Sequence, residues 1–171
     1  IKACCRRCLS CLKTRAGKVI PRPLWYMCYA TRPFEYIHLD YIKLPLATDG
    51  SEYVLMLTCD FSLTTVLVPT DSADASTVVD ALMQYLSTYP DPDLIHTDGG
   101  SHFRNDIVRL LAERRGYKHT ICTPHTSWAH GVAERNNKAF LNVLRPLCLK
   151  LGLEDNEWPK ILQLVQSTMN R

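Results

Sequence analysis

Two hydrophobic periodicities follow one another along the chain, and the first is typical of β-strands. Three segments show alternating or continuous apolar runs bounded by turn residues, which predicts strands that pair with their neighbours in sequence. The continuous run YVLMLTC indicates a strand that is buried on both faces. The predicted strands are Tyr36–Lys43, Tyr53–Cys59 and Thr64–Pro69.

Beyond residue 70, apolar residues recur at helical spacing, which predicts amphipathic helices alternating with two further short strands. Ser72 or Asp74 is the predicted N-cap of the first helix, and the second helix is expected to end at Gly116. A third helix is expected to be perturbed near Pro146, and a fourth covers Glu157–Asn170. The short strands are Asp93–His96 and Lys118–Cys122. The apolar helix positions are Ala75, Val78, Val79, Leu82, Leu86, Phe103, Ile107, Leu110, Leu111, Val132, Phe140, Val143, Leu144, Leu147, Leu162 and Val165.

The resulting order, β-β-β-α-β-α-β-α-α, predicts an α/β fold in which a meander is extended into a mixed sheet with flanking helices. With 171 residues, of which 46% are apolar and 22% charged, the composition is that of a folded globular chain and excludes a disordered one. No apolar run reaches the roughly 18 residues that a membrane helix needs, so no membrane partner is expected. The first residues lack the apolar core of a secretory signal, which favours free or metal-bound thiols over disulfides.

Charge is distributed unevenly along the chain. Residues 1–34 carry eight Lys and Arg and no Asp or Glu, whereas residues 35–171 carry twelve basic and seventeen acidic side chains. This pattern favours a basic arm that meets phosphates, joined to a body that keeps its carboxylates for another task. A solvated basic tail remains the alternative. The proline-rich segment 21–33 is interpreted as an extended linker.

Four of the eight cysteines lie in the first eleven residues, and two of them form a knuckle with metal-ligand spacing. Cys8 and Cys11 are separated by two residues, so their thiolates could hold one side of a tetrahedral Zn²⁺. Zinc requires four ligands, and no matching Cys or His pair follows. Zinc is therefore expected here only if two further ligands lie upstream.

Three acidic residues are candidates for chemistry because of where they fall. Asp40 lies inside an otherwise apolar strand, where a carboxylate is costly to bury unless it is paired or bound to a metal. Asp98 precedes a pair of glycines and could simply be a turn residue. Glu134 lies in a first helical turn, where it could be only a partner of the helix dipole. Asp40 is the hardest of the three to explain as structural.

The spacing and the sequence context of the three acidic residues strengthen the case that they act together. Thirty-five residues lie between Asp98 and Glu134, and the three sit in the segments HLD, HTDGGSHF and HGVAERNNK. This arrangement resembles the D,D(35)E signature of retroviral and LTR-retrotransposon integrases. The glycine after Asp98, where retroviral enzymes usually have asparagine, looks more like a Ty3/Gypsy-type element. The resemblance covers roughly residues 34–171, and the knuckle upstream looks like the end of the family's zinc domain, here residues 1–20.

The resemblance implies an RNase H-like catalytic core over residues 34–171, in which Asp40, Asp98 and Glu134 meet at one end of the sheet. Three nearby carboxylates repel one another, and divalent cations remove that penalty. All-oxygen ligands suit Mg²⁺ or Mn²⁺, and two such ions can clamp a phosphodiester. The family's reaction trims the 3′ ends of element DNA and then joins them to target DNA, without a covalent enzyme intermediate.

Other polar residues are predicted to contact DNA. A helix over residues 131–145 would place four side chains in one stripe beside Glu134, although a solvated helix face would look the same. The resemblance supports Lys138 in particular, and it adds positions near target or element DNA in the turn after Asp98 and in the loop before the helix. The candidate DNA-binding residues are Ser101, His125, His130, Arg135, Lys138, Asn142 and Arg145.

The resemblance further implies partners and a location: the element's LTR-end DNA, target DNA, self-association into dimers or tetramers, a possible host chromatin tether, and the nucleus. Two alternatives share the fold. One is a host-captured integrase that now acts as a DNA-binding or scaffold protein, and the other is a cut-and-paste DNA transposase. Intact carboxylates argue against the first, and the upstream knuckle with the spacing of thirty-five favours integrase over the second.

Overall fold

A computed structural model of the chain describes residues 30–121 and 131–171. Within these residues, five strands form one sheet in the order β3-β2-β1-β4-β5. The strands β1, β2 and β3 pair antiparallel in succession, whereas β4 pairs parallel with both β1 and β5. The predicted meander and mixed sheet are thus confirmed. The strand bounds are β1 Tyr36–Lys43, β2 Tyr53–Cys59, β3 Thr65–Thr70, β4 Leu94–Thr97 and β5 Lys118–Ile121.

Helices flank the sheet, and local side chains explain where they begin and end. The carboxylate of Asp74, one of the two predicted caps, accepts a hydrogen bond from the backbone N–H of Thr77 at the start of the first helix. Gly116 ends the second helix in a left-handed conformation with φ of 80°, which glycine adopts without strain. The helices are α1 Ala75–Thr88, α2 Asp106–Arg115, α3 Gly131–Leu151 and α4 Leu162–Met169, with a 3₁₀ turn at Trp158–Ile161.

The core lies in two layers, one on each face of the sheet. On one face, apolar residues of β1, β2 and β4 pack against α1 and α2. On the other face, residues of β2 and β3 pack against α3, the 3₁₀ turn and α4. Alternation along β1 and β2 therefore sends successive side chains into different layers. As a result, β1 is covered on both faces and α3 is fixed over the face that carries Asp40.

Two sequence expectations about where helices begin need correction. Phe103 was expected to open the second helix, but it lies in a turn with its side chain buried, and α2 begins only at Asp106. The side chain of Asn105 accepts a hydrogen bond from Ile107 N at 2.8 Å and so fixes the later start. The predicted third helix is present as α3, which contains Pro146 and continues to Leu151. The final helical stretch begins as a 3₁₀ turn that contains a proline near its start.

Part of the predicted domain organisation lies outside the described residues. The expected zinc-domain remnant 1–20, with Cys8 and Cys11, and most of the linker 21–33 belong to this part of the chain. These assignments stay predictions. In the described part of the chain, no helix combines the length and the apolar character needed to cross a bilayer.

Candidate active site

Asp40 lies in β1, and Asp98 directly follows the neighbouring parallel strand β4. The last pair in the ladder between β1 and β4 joins Leu39 to Thr97, so that Asp40 and Asp98 are each the next residue along. Neighbouring strands lie about 4.8 Å apart. The two aspartates, separated by 57 residues in sequence, therefore share one edge of the paired region.

Asp40 is held by the helix that covers its face of the sheet. The side-chain amide of Asn137 in α3 donates a hydrogen bond of 2.6 Å to Oδ2 of Asp40. This bond joins residues that lie 97 positions apart. It offsets part of the cost of placing a carboxylate in a half-buried strand position, and it ties the start of α3 to the aspartate.

Glu134 lies in the first turn of α3, three residues before Asn137. Residues three apart share one face of a helix, so Glu134 is on the same side of α3 as the amide that bonds to Asp40. Its side chain is exposed. We therefore expect Glu134 to lie near the strand edge that holds the two aspartates.

The buried side chain of Asn136 anchors the start of α3 to the sheet. Its amide donates to the hydroxyl oxygens of Thr58 at 2.6 Å and Thr65 at 2.7 Å, on β2 and β3. Consecutive asparagines thus fix the helix in two directions, Asn136 to the sheet core and Asn137 to Asp40. Sequence reasoning missed both. The available signal was a pair of weak helix formers that begins two residues after Glu134.

Asp98 also has the turn role that its neighbouring glycines suggest. Its Oδ1 accepts a hydrogen bond of 2.9 Å from the backbone N–H of Gly100. Half of the Asp98 side chain remains exposed. Across residues 30–121 and 131–171, no three Asp, Glu, His or Cys side chains are arranged closely enough to hold a metal ion. Asp40 and Asp98 thus follow the same ladder pair, and the predicted ligand set of Asp40, Asp98 and Glu134 stays a prediction.

Two histidines near the aspartates serve the framework. The Nε2 of His38 bonds to Oδ1 of Asp60 at 2.9 Å, and both side chains are largely buried. The hydrogen bond from His38 is the main reason that the pKa of Asp60 is lowered. The rings of His38 and His96 stack with centroids 5.1 Å apart. His38 therefore has a structural role in this pairing, whereas the largely buried Asp60 went unnoticed in the sequence.

The predicted DNA-binding stripe is exposed along α3. Four of its members project from the helix surface, and Ser101 is exposed in the turn after Asp98. His125 and His130 lie outside the described residues. These roles in DNA binding stay predictions. The exposed stripe members are Arg135, Lys138, Asn142 and Arg145.

The match of the sequence to a family profile shows which protein family the chain belongs to. The sequence profile described as the integrase core domain matches residues 30–127, more than half of the chain. The chain belongs to this integrase core domain family. The matched range contains Asp40 and Asp98 and ends before Glu134.

Relatives of this integrase core chain include viral and transposon polyproteins. The Pro-Pol polyprotein of simian foamy virus type 3 (strain LK3) is 27% identical over 165 residues, which cover 96% of this chain and 14% of that protein. The Retrovirus-related Pol polyprotein from transposon 412 of Drosophila melanogaster is 26% identical over 132 residues, covering 76% of this chain and 10% of that protein. The chain therefore spans only a small part of these relatives. Viral and transposon relatives match about equally, so the Ty3/Gypsy assignment stays a prediction.

A solved structure supports the fold of this integrase core. A chain of the simian T-cell lymphotropic virus intasome, in complex with PP2A regulatory subunit B56 gamma, aligns with a TM-score of 0.74 at 17% identity. The alignment covers 94% of this chain and 56% of that chain. The predicted RNase H-like, integrase-type mixed sheet with flanking helices is confirmed.

Proposed function

We propose that this chain is the catalytic core of an integrase that trims the 3′ ends of reverse-transcribed element DNA and joins them to target DNA. The observation that carries the proposal is that Asp40 in β1 and Asp98 just after β4 both follow the last pair of the ladder between these parallel strands. The bond from Asn137 to Asp40 adds the start of α3, and with it Glu134, to the same region. Membership of the integrase core domain family supports the same reaction class.

The available donors fit a hard divalent cation. Asp40, Asp98 and Glu134 offer only carboxylate oxygens, which suit Mg²⁺ or Mn²⁺ better than Zn²⁺. Asp98 and Glu134 keep exposed side chains, as groups that bind a ligand from solvent must. Two bound Mg²⁺ or Mn²⁺ ions would supply the positive charge that activates the attacking oxygen and stabilises the leaving 3′ oxygen.

The protein's own groups orient the carboxylates and bind the DNA. Asn137 keeps one oxygen of Asp40 fixed, while the backbone N–H of Gly100 fixes one oxygen of Asp98. The exposed stripe of α3 holds DNA phosphates beside the carboxylates, because Lys and Arg bind phosphate by charge and hydrogen bonds. Both reaction steps are in-line displacements at phosphorus, so no Ser or Cys is needed as nucleophile.

The wider setting follows from the family. Joining two DNA ends in concert calls for more than one copy of the chain, so we propose self-association, with element ends and target DNA as substrates. We further propose action in the nucleus, with a chromatin-bound host protein as a possible tether. Zn²⁺ belongs to the segment with Cys8 and Cys11 and depends on ligands upstream of them.

A joining assay tests the proposal. Purified protein is incubated with oligonucleotides that carry the element's ends and with target DNA, in Mg²⁺ and separately in Mn²⁺. We expect metal-dependent joining that is lost in Asp98→Asn and Glu134→Gln, while DNA affinity is largely kept. The exposed carboxylates of Asp80 and Glu154 provide matched controls, since Asp80→Asn and Glu154→Gln should join at the unaltered rate.

The alternatives give different outcomes. A host-captured protein that only binds DNA would show salt-sensitive affinity without joining in either metal. A cut-and-paste transposase would instead excise an element from flanking duplex DNA. Joining that persists in both Asp98→Asn and Glu134→Gln would contradict the proposed site.

A further inference from the structure

The turn that follows Asp98 folds the ring of His102 back toward the aspartate. The ring packs edge-on against Tyr41, with centroids 4.9 Å apart, and against Phe103 at 4.3 Å. Tyr41 directly follows Asp40, and its hydroxyl bonds to Thr77 at 2.7 Å. The imidazole is therefore held by a residue adjacent to one aspartate while it lies beside the other.

Gly100 leaves the space that the imidazole occupies. A Cβ at this position would come within 2.4 Å of Cε1 and 2.6 Å of Nε2 of His102, and within 3.0 Å of Oδ1 of Asp98. No side chain fits at such distances unless the imidazole moves. The absence of a side chain at residue 100 thus allows His102 to approach Asp98.

The imidazole has an unused polar atom at this point. Nε2 of His102 is buried and lacks a hydrogen-bond partner among the described residues. Oδ1 of Asp98 is 4.0 Å away, about 1 Å beyond a hydrogen bond. A buried donor without a partner is unfavourable, so a small movement that brings the two atoms together would be favoured. By contrast, the Nε2 of nearby His38 already bonds to Asp60.

We propose that His102 is a positioning residue for Asp98, donating from Nε2 to Oδ1 so that Oδ2 stays directed toward a bound divalent cation. Oδ1 then receives two donors, the Gly100 N–H and the imidazole, and the carboxylate cannot rotate. This inference rests on the proposed function, because it takes Asp98 to be a ligand of the cation.

Cation affinity measured without DNA tests the role directly. Mn²⁺ binding to the purified protein is followed by the loss of the free-ion electron paramagnetic resonance signal. We expect His102→Ala to weaken Mn²⁺ binding about tenfold, as for lost partners of metal ligands. His102→Gln keeps an N–H donor near the Nε2 position and should recover most of the affinity. His119→Ala is the matched control, because that imidazole bonds to Thr97 rather than to Asp98; it should leave Mn²⁺ affinity unchanged even if it lowers stability.

A double variant distinguishes the loss of the imidazole next to Asp98 from a general disturbance of the turn. Gly100→Ala displaces the imidazole and should weaken Mn²⁺ binding much as His102→Ala does. In the His102→Ala background the same change should cost less than in the unaltered protein, because the ring that it would strike is gone and only the 3.0 Å contact with Oδ1 of Asp98 remains. Unchanged Mn²⁺ affinity in His102→Ala, or failure of His102→Gln to recover any, would overturn the inference.

The outcomes distinguish this inference from the proposed function. If the unaltered protein binds Mn²⁺ through Asp98 but never joins DNA, the proposed function fails and the role of His102 stands. If it joins DNA and His102→Ala binds Mn²⁺ normally, the role of His102 fails and the function stands. If Asp98→Asn binds Mn²⁺ as tightly as the unaltered protein does, both are wrong.

Discussion

Asp60 and Asp98 are each the first residue after a strand, β2 for Asp60 and β4 for Asp98, yet their surroundings differ. The side chain of Asp60 is 10% exposed, and its two oxygens are bonded to His38 and to the backbone N–H of Ala30. The side chain of Asp98 is 50% exposed, and only its Oδ1 has a hydrogen-bond partner among the described residues. A carboxylate whose bonds are all made within the protein stabilises the fold. One that keeps an oxygen toward solvent is available to a ligand.

The largest effect is expected for Asp98. Asp98→Asn should lower DNA joining by about 10²–10³-fold or more, as when a group that stabilises transition-state charge is removed. The free energy of unfolding should hardly change, because the side chain is half exposed. Joining is measured with labelled oligonucleotides and stability by urea unfolding. A variant that joins normally, or that unfolds, would remove the contrast with Asp60.

For Asp60, a large effect on stability and a small effect on joining are expected. Asp60→Ala leaves the largely buried His38 and the backbone N–H of Ala30 without their partner and should lower the free energy of unfolding by about 1–3 kcal/mol. Joining by the protein that remains folded should stay near the unaltered rate. Urea unfolding gives the first quantity, and joining assays well below the unfolding temperature give the second. A stable Asp60→Ala protein without joining activity would place Asp60 in the active site instead.

Adjacent asparagines allow the same comparison within one helix turn. Asn137→Ala should lower joining by about 10–100-fold, because Asp40 loses its orienting hydrogen bond. Asn136→Ala should mainly lower the free energy of unfolding, by about 1–3 kcal/mol, because two buried threonine hydroxyls lose a partner. Each variant is the control for the other. Equal effects on joining and stability in both would contradict the division of roles.

A smaller effect is expected on DNA affinity. Lys138→Ala should reduce the slope of log affinity against log salt by about one unit, as for one lost phosphate contact. The control is Lys150→Ala, a change at an exposed lysine near the end of α3, which should leave the salt slope unchanged. Fluorescence anisotropy at several salt concentrations measures both. Equal slopes in the two variants would remove Lys138 from the interface.

The smallest expected effect is on the pH dependence of stability. The folded state lowers the pKa of Asp60 below its ordinary value of 3.8, chiefly through the bond to His38. Its contribution to stability is therefore present above that value and is lost as the pH falls through the lower folded pKa. Urea unfolding from about pH 6 to about pH 3 should show a shallower decline in Asp60→Asn than in the unaltered protein. Identical declines would mean that Asp60 does not contribute.

Much of the fold could be predicted because the apolar pattern is strong where strands are covered on both faces. The bounds of β1 and β2 agree with the structure, whereas β3 and β4 each begin one residue later than predicted. Phe103 has the spacing of a helical residue but is buried in a turn, because Asn105 starts the helix after it. Periodicity reports which residues are buried and does not distinguish a helix from a turn that packs on it.

The site was only partly predictable. The neighbouring positions of Asp40 and Asp98 agree with the prediction from spacing and context, whereas their role as ligands stays a prediction. The hydrogen bond from Asn137 to Asp40 could not be predicted, because it joins residues 97 positions apart and forms only when distant segments fold together. Asn and His side chains occur in many surface positions, so their identity alone does not indicate such contacts.

A crystal structure of the protein soaked with Mn²⁺ tests most directly whether Asp40, Asp98 and Glu134 form one cation site. We expect anomalous density between Asp40 and Asp98, with the carboxylate of Glu134 turned toward the same ion or a second one beside it. Ordered protein with no density at this edge at high Mn²⁺ concentration, or with Mn²⁺ bound only elsewhere, would contradict the account.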